Sequence, residues 1–344
     1  MKRRATIRDV AERAGVSKTT VSYVLNDVKK VSAETKLRVM EAMQDLSYEP
    51  DFTAISLTKR KSNLIGIILP LVNKSIASIM EENTYFNEMI SAIEQVAREN
   101  GFDILLTGLA EPAEYRTWVH KRRLDGLLFL GLFPESIYSE MRSMDVPAIL
   151  IDTYEKHTGN YPSVNVDDEK GGYLAASHLL ELGHQSVGFL TTGLENPVEY
   201  YRYQGYIRAY GEWGLPPPDT VLTKSAHSFQ SGADAAEKVL NQSGLTAVIC
   251  TSDITALGLI RALREAGKKV PEDFSVTGFD DIHLSRYTTP SITTVRQHIR
   301  QKGSRAALKL LAAMEGKPTE AEVLNVELVK RESTAPYTQN SKER

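Results

Sequence analysis

Residues Thr6 to Asn26 read TIRDVAERAGVSKTTVSYVLN, and this stretch decides how the rest of the chain is read. Thr6 is a helix-capping type with Asp9 three residues on, the spacing of a capping box. Ile7, Val10, Ala11 and Ala14 then share one face of a short helix. Gly15 follows, where a sharp turn can take a positive φ without a Cβ clash. Ser17 can cap a second helix with Val21, Val24 and Leu25 inward. Its outward residues, Lys18, Thr19, Thr20, Ser22 and Tyr23, are all hydrogen-bonding types. Two short helices joined by a tight turn make a helix-turn-helix, whose second helix has the width of the DNA major groove. A plain helical hairpin with a solvated polar face would share this spacing, and the flanking sequence argues against it.

Ser32 can cap a third helix from about Ala33 to Leu46, with Val39, Met43 and Leu46 on one face. Tyr48 to Leu57, YEPDFTAISL, then leads into a basic Lys59-Arg60-Lys61 run. The T-I-x-D-V-A-x-x-A-G-V-S start, the Thr20-Val21-Ser22 step, the Tyr48-Glu49-Pro50 turn and Ala54-Ile55-Ser56-Leu57 occur in this order. Their order and spacing resemble the lactose/galactose-repressor family of bacterial transcription regulators, over almost the whole chain. Two positions depart from that pattern: Ile55 replaces the usual hinge arginine, and Asp51 stands where asparagine is common.

The resemblance implies an all-α helix-turn-helix domain over residues 1–48 and a hinge helix over 49–61. An α/β body of two lobes, like a periplasmic binding protein, would span 62–336 and bind effector and a second subunit. A polar tail, 337–344, would follow. DNA would be met by Thr6, Ser17, Lys18, Thr19, Thr20, Ser22, Tyr23, Asn26, Ser32, Tyr48, Ala54 and Leu57. Leu57 would be the wedge pushed between base pairs from the minor groove. About ten hinge residues are too few for a stable isolated helix, so the hinge is expected to order on DNA.

Charge supports this division. Residues 1–61 carry 13 Lys and Arg against 8 Asp and Glu, a net +5; the remainder carries 28 against 36, a net −8. A basic head on an acidic body is what a polyanion-binding module joined to a different kind of domain should show. No apolar run approaches the roughly 20 residues of a membrane span, so no membrane association is expected. No apolar stretch follows the basic start, and Cys250 is the single cysteine, so a reducing cytoplasm is expected.

From Leu64 onward, short apolar runs alternate with helical patterns. Strands are expected over Leu64–Leu69, Ile104–Thr107, Gly126–Leu130, Ala148–Ile151, Ser186–Leu190, Ala247–Thr251 and Ser275–Phe279. Helices are expected over Asn87–Glu99, Gly171–Leu182, Ser231–Leu240 and Thr255–Ala266. This alternation argues for mostly parallel, doubly wound sheets, too many strands for one, so the body splits into two lobes near Ser163. From the resemblance, Thr293–Gln297 would cross back to the first lobe and the strand after Glu322 back to the second. Lobe 1 would then comprise about 62–163 and 294–325, and lobe 2 about 164–293 and 326–336.

Ligands of open parallel sheets bind beyond the carboxyl ends of the strands. Asp152, Ser252-Asp253 and Asp280-Asp281 stand there, and carboxylates suit a polyhydroxyl ligand because each oxygen accepts from hydroxyl donors. The resemblance adds Arg202 in an R-x-x-G-aromatic motif, Tyr85 and Phe86 in Asn83-Thr84-Tyr85-Phe86, His227, and Ser252 in place of an asparagine. The effector set is therefore Tyr85, Phe86, Asp152, Arg202, His227, Ser252 and Asp280. The stretch Asn73–Glu82 reads as an insertion at the cleft mouth.

No G-x-S-x-G, Walker A, H-E-x-x-H or strand-following G-x-G-x-x-G occurs, and the seven histidines do not cluster. Gly171-Gly172 has the look of a phosphate cradle, but helix entry explains it. The sequence therefore suggests a non-enzymatic homodimeric repressor with neither cofactor nor metal. Its partners would be palindromic double-stranded operator DNA and a small carbohydrate effector. The alternative within the family is a purine- or nucleoside-responsive, or corepressor-activated, regulator. The alternative outside it is a soluble sugar-binding protein, which would have no use for residues 1–61.

Overall fold

A computed structural model describes residues 5–25, 28, 30–48, 61–71, 80, 84–109, 111–154, 161–218, 221–222 and 227–338. Asn26, hinge residues 49–60 with Ala54 and Leu57, all of Asn73–Glu82 except Met80, and residues 339–344 lie outside the described residues. The chain folds as two compact units, residues 1–63 with 122–125, and residues 64–121 with 126–344.

The first unit carries α1 (Ile7–Ala14), α2 (Lys18–Leu25) and α3 (Ala33–Asp45). The capping box forms: the Thr6 N–H donates to Asp9 at 2.7 Å and the Asp9 N–H donates back to the Thr6 hydroxyl at 3.5 Å. Gly15 closes α1 at φ +64°, in the left-handed region that residues with a Cβ rarely adopt. Ser17 Oγ accepts from the Thr20 N–H at 3.0 Å and Ser32 Oγ from the Thr35 N–H at 3.3 Å, starting α2 and α3. The three helices bury Val10, Val21 and Val39 completely, together with Ala11, Ala14, Val24 and Ala42. Each valine contributes roughly 1.5–3 kcal/mol of burial. Met43 and Leu46, expected inward, sit at the rim of this core, and the smaller Ala42 takes the interior place.

In the second unit, the first sheet contains β1 (Leu64–Pro70), β2 (Asp103–Leu109), β3 (Gly126–Leu130), β4 (Ala148–Ile151), β5 (Ser163–Val166) and β11 (Glu322–Leu324). Their order is β11-β5-β4-β3-β1-β2, with every pairing parallel. Helices α4 (Thr84–Glu99), α5 (Pro112–Arg122) and α6 (Glu135–Arg142) connect the early strands.

The second sheet contains β6 (Val187–Thr191), β7 (Val221–Leu222), β8 (Ala247–Cys250), β9 (Ser275–Asp280), β10 (Thr293–Arg296) and β12 (Glu327–Val329). Its order is β12-β10-β9-β8-β6-β7, parallel except for β12. Its helices are α7 (Asp168–Glu181), α8 (Pro197–Glu212), α9 (Phe229–Asp234), α10 (Ala236–Asn241) and α11 (Asp253–Glu265). Strands covered on both faces read as unbroken apolar runs, which is why β3, β4 and β8 are legible to the residue or nearly so.

The crossings differ from expectation. Ser163–Val166 pairs with β4 and β11, so the chain leaves the first lobe after Val166 rather than near Ser163. Thr293–Arg296 does not return to the first lobe; it pairs with β9 in the second. Its threonines fix it there, because the Thr294 hydroxyl donates to buried Asp253 at 2.6 Å and the Thr293 N–H to Ser333 Oγ at 2.8 Å. The return falls at His298, φ +49°, after which α12 (Ile299–Met314) packs on α4, β3, β4 and β5. Of the strands from Glu322 on, β11 still belongs to the first lobe and only β12 joins the second.

Two helices also depart. The expected Ser231–Leu240 helix is divided at Ala235 into α9 and α10. Helix α7 begins at Asp168, so Gly171 and Gly172 lie inside it and not at a phosphate-cradling entry. Their role is packing: a Cβ on Gly172 would sit 1.8 Å from the Arg202 carbonyl oxygen, and one on Gly205 1.8 Å from that of Glu169. Helices α7 and α8 therefore meet backbone to backbone, which sets Asp168 against Arg202.

Candidate functional site

In the first unit, Lys18, Thr19 and Tyr23 are exposed on α2, with Tyr23 40% accessible. Thr20 and Ser22 are half-buried, and the Thr20 hydroxyl lies 2.9 Å from Ser17 Oγ. Thr6, Ser17 and Ser32 are helix caps, and Tyr48 packs at the edge of the three-helix core. The helix thus offers Lys18, Thr19 and Tyr23 outward on a rigid base, while the hydroxyls of Thr6, Ser17 and Ser32 are engaged in holding the helices.

In the second unit, the chemistry gathers where the strands of both sheets end. The Tyr85 hydroxyl, from α4, donates to Asp152 Oδ2, and Asp152, just past β4, accepts from Lys302 Nζ at 2.6 Å on its other oxygen. Lys302, from α12, also donates to Gln297 Oε1 at 2.5 Å, and the Gln297 amide donates to Asp280 Oδ1 at the end of β9. One chain of hydrogen bonds, Tyr85–Asp152–Lys302–Gln297–Asp280, thus runs from the first lobe into the second. Asp152 and Asp280 have φ of +57° and +116°, and Asp281 beside Asp280 has +56°, backbone conformations that side-chain-bearing residues rarely adopt.

Arg202, on α8, is nearly buried. Its Nε donates to Asp168 Oδ1 at 2.7 Å, its Nη1 to the Thr251 carbonyl at 2.5 Å, and its face lies 3.5 Å from the Phe279 ring centroid. Asp168 also accepts from the Tyr154 hydroxyl, and Tyr154 in turn packs on Tyr201 with centroids 4.5 Å apart. Nη2 of Arg202 has no hydrogen-bond partner among the described residues.

His227 stands 2.7 Å from Glu199, which is fully buried and accepts from the Thr191 hydroxyl at 2.6 Å. Its other ring nitrogen is 3.2 Å from Ser252 Oγ, the cap of α11.

Burial pushes the Asp280 carboxyl up to about 6, although Arg202, His227, Gln297 and Lys302 all pull it down. Burial alone would lower the His227 pKa, yet Glu199 beside it overcomes that and raises it above the ordinary imidazole value. Burial likewise works against the Glu199 carboxylate, but His227 first, then Arg202 and the Thr191 hydroxyl, outweigh it and leave its pKa below the usual range.

The carboxylates at the strand ends divide into two kinds. Asp253 is a brace, accepting from the Ile282 N–H at 2.9 Å and from the Ser285 and Thr294 hydroxyls. Asp281 is another, bound by Arg296 at 2.6 Å and by Arg331. Asp152 and Asp280 are linked instead through Lys302 and Gln297, and the charge of Arg202 acts on Asp280. Phe86 stacks edge-on to Tyr85 at 5.2 Å and packs against the core. Sequence reading missed Asp168, Tyr154, Glu199, Gln297 and Lys302. Asp168 and Gln297 follow strands that were unassigned or misplaced. Lys302 had a signal, as the one charge on the inward stripe of Ile299, Gly303, Ala306 and Leu310.

Comparison with known proteins bears on both units. The profile "Bacterial regulatory proteins, lacI family" matches residues 6–51, and "Periplasmic binding protein-like domain" matches residues 176–334. The transcriptional repressor PurR of Pasteurella multocida is 35% identical over 341 residues, 96% of this chain and 98% of that one. A Lac repressor dimer bound to operator and the anti-inducer ONPF superposes with a TM-score of 0.82 at 29% identity, covering 97% of this chain and all of the other. A LacI family regulator from Enterococcus faecium with bound ribose gives a TM-score of 0.71 at 29% identity, over 80% of this chain and all of that one. A capped helix-turn-helix joined to a two-sheet body, matched along nearly the full chain by such relatives, makes this protein a DNA-binding transcriptional regulator of the lacI family.

Proposed function

We propose that the chain is a cytoplasmic, homodimeric repressor of carbohydrate uptake or catabolism genes, controlled by a sugar held between the two lobes, and not an enzyme. The observation that carries the effector reading is the pairing of cleft carboxylates, Asp152 and Asp280, with the free edge of Arg202. Carboxylates accept from adjacent hydroxyls and a guanidinium edge donates to a ring or hydroxyl oxygen, a pattern that suits a polyol. Tyr85 and Phe86 supply an aromatic wall, and His227 with Ser252 a further polar edge. The ribose found in the Enterococcus faecium relative agrees with this chemistry.

At the DNA, Lys18, Thr19 and Tyr23 approach base edges, with Thr20, Ser22 and Asn26 beside them and the capped helix starts at Thr6, Ser17 and Ser32 near phosphates. One such helix reads only a few base pairs, so specificity requires two half-sites and hence two subunits. The second lobe exposes Phe229, Leu284 and Tyr287, apolar surface suited to a subunit contact. Closure of the cleft would reposition the first lobes and so the two hinges, where Ala54 lies and Leu57 wedges the minor groove, with Tyr48 a DNA contact just ahead of them.

The test is a thermal-shift screen of the full-length protein against neutral sugars and against purines and nucleosides, followed by operator titration with each hit. A ligand at 100 times its Kd stabilises by about 2.7 kcal/mol. A sugar that both stabilises and changes operator affinity is the expected result. Stabilisation by a purine or nucleoside alone would replace the carbohydrate reading by the purine one.

A further inference from the structure

Lys302 is fully buried, the only lysine so placed among the described residues. Its ammonium donates to Asp152 and Gln297 and lies 5.1 Å from the Tyr85 ring centroid. An ammonium only donates, and a carboxylate only accepts. Gln297, set between Lys302 and Asp280, therefore has one admissible orientation: carbonyl toward Lys302, amide N–H toward Asp280. Asp152 likewise takes Lys302 on one oxygen and the Tyr85 hydroxyl on the other. What this end of the cleft still offers a ligand is the remaining lone pairs of two carboxylates. The donor of the site is Arg202, whose charge reaches Asp280.

We propose that Lys302 is the positioning residue that gives the effector site this polarity. By fixing Gln297 and Asp152, it makes the Asp152–Asp280 end accept hydroxyl donors only and refuse an anionic substituent such as a phosphate ester. The inference rests on the effector reading above and adds to it which residue imposes the choice. Without the ammonium, Gln297 is free to turn its N–H2 into the cleft, and Asp152 and Asp280 lose the cation that lies between them.

Two measurements on the full-length protein test this, with Lys302→Met, Lys302→Gln and Lys302→Arg. The first needs no ligand: thermal unfolding from pH 5 to pH 8.5. Asp280 is faced by Arg202 from α8, His227 ahead of α9, Lys302 from α12, Asp253 from α11, Tyr85 from α4 and Gln297. Its folded pKa is raised above the unfolded value, so the penalty of its ionised form is absent at low pH and complete above the folded pKa. Removing Lys302 raises that pKa further. The Tm deficit of Lys302→Met should therefore be widest at pH 8.5 and narrow toward pH 5, with Lys302→Arg close to wild type throughout. A deficit of one size at every pH would mean lost packing and overturn the proposal. Lys302→Gln, which retains a donor for Asp152, covers the case in which Lys302→Met does not fold, and should show the same pH trend.

The second measurement compares neutral pentoses and hexoses with their phosphate esters. The expected hit is a neutral sugar, bound at least about tenfold more weakly by Lys302→Met or Lys302→Gln, as when hydrogen bonds to charged groups fail. Wild-type affinity in these variants, or tighter binding of a phosphate ester than of its parent sugar by the wild type, would overturn it. A wild type that responds to no compound defeats the effector reading and with it the ligand choice assigned to Lys302, while the pH arm separately tells whether Lys302 is the charge tie described.

Discussion

The α2 surface and the cleft solve opposite problems with the same residue types. On α2 the presented side chains, Lys18, Thr19 and Tyr23, have no part in the core, which belongs to Val10, Val21 and Val39. Their frame is set by caps three residues away in sequence. In the cleft the presented groups are also structural: Arg202 holds Asp168 across 34 residues of sequence, and Lys302 holds Asp152 across 150. A recognition surface built on local caps can change its specificity without risk to the fold. A cleft built from buried ion pairs cannot, and its ligand chemistry is tied to its stability.

That contrast makes Arg202→Ala the most damaging of the simple changes. It leaves the Asp168 carboxylate buried without its cation, which typically costs about 3–5 kcal/mol. Thermal unfolding should show this loss together with loss of effector response. Adding Asp168→Asn should recover stability but not the response. Full stability in the single variant would break the comparison.

Gly172→Ala should rank next, at about 1–3 kcal/mol or more, since the added methyl meets the Arg202 backbone and not a movable side chain. Chemical denaturation measures it, and the effector response should weaken as well because α7 and α8 set Asp168 against Arg202. An unchanged denaturation midpoint would show that the helices can part at no cost.

On α2, Lys18→Ala should leave Tm within the small range of surface changes yet cost about 1–3 kcal/mol on the cognate operator and less on random DNA. Fluorescence anisotropy at fixed salt checks both. Equal losses on the two DNAs would make Lys18 a phosphate contact.

The smallest expected effect is Thr6→Ala, about 1 kcal/mol of head stability from the lost cap. Hydrogen exchange of the α1 amides would detect it. A change confined to operator affinity, with α1 equally protected, would shift Thr6 from capping to DNA contact.

The sequence by itself determined the local objects. The helix-turn-helix was legible because a capping threonine, a glycine turn and apolar spacing all act within a few residues. Strands such as Gly126–Leu130 and Ala148–Ile151 were legible because burial on both faces leaves an unbroken apolar run. Arg202, Asp152 and Asp280 could be named as candidates from motif and strand end. The tertiary structure decided what those residues are paired with. Which lobe takes Thr293–Arg296 depends on hydrogen bonds to Asp253 and Ser333, and neither partner leaves a periodic trace. The roles of Asp168, Gln297 and Lys302 depend on partners up to 150 residues away. Periodicity records whether a side chain faces a core. It does not record which buried charge answers it, because that is fixed only when distant strands and helices bring the two within hydrogen-bonding distance.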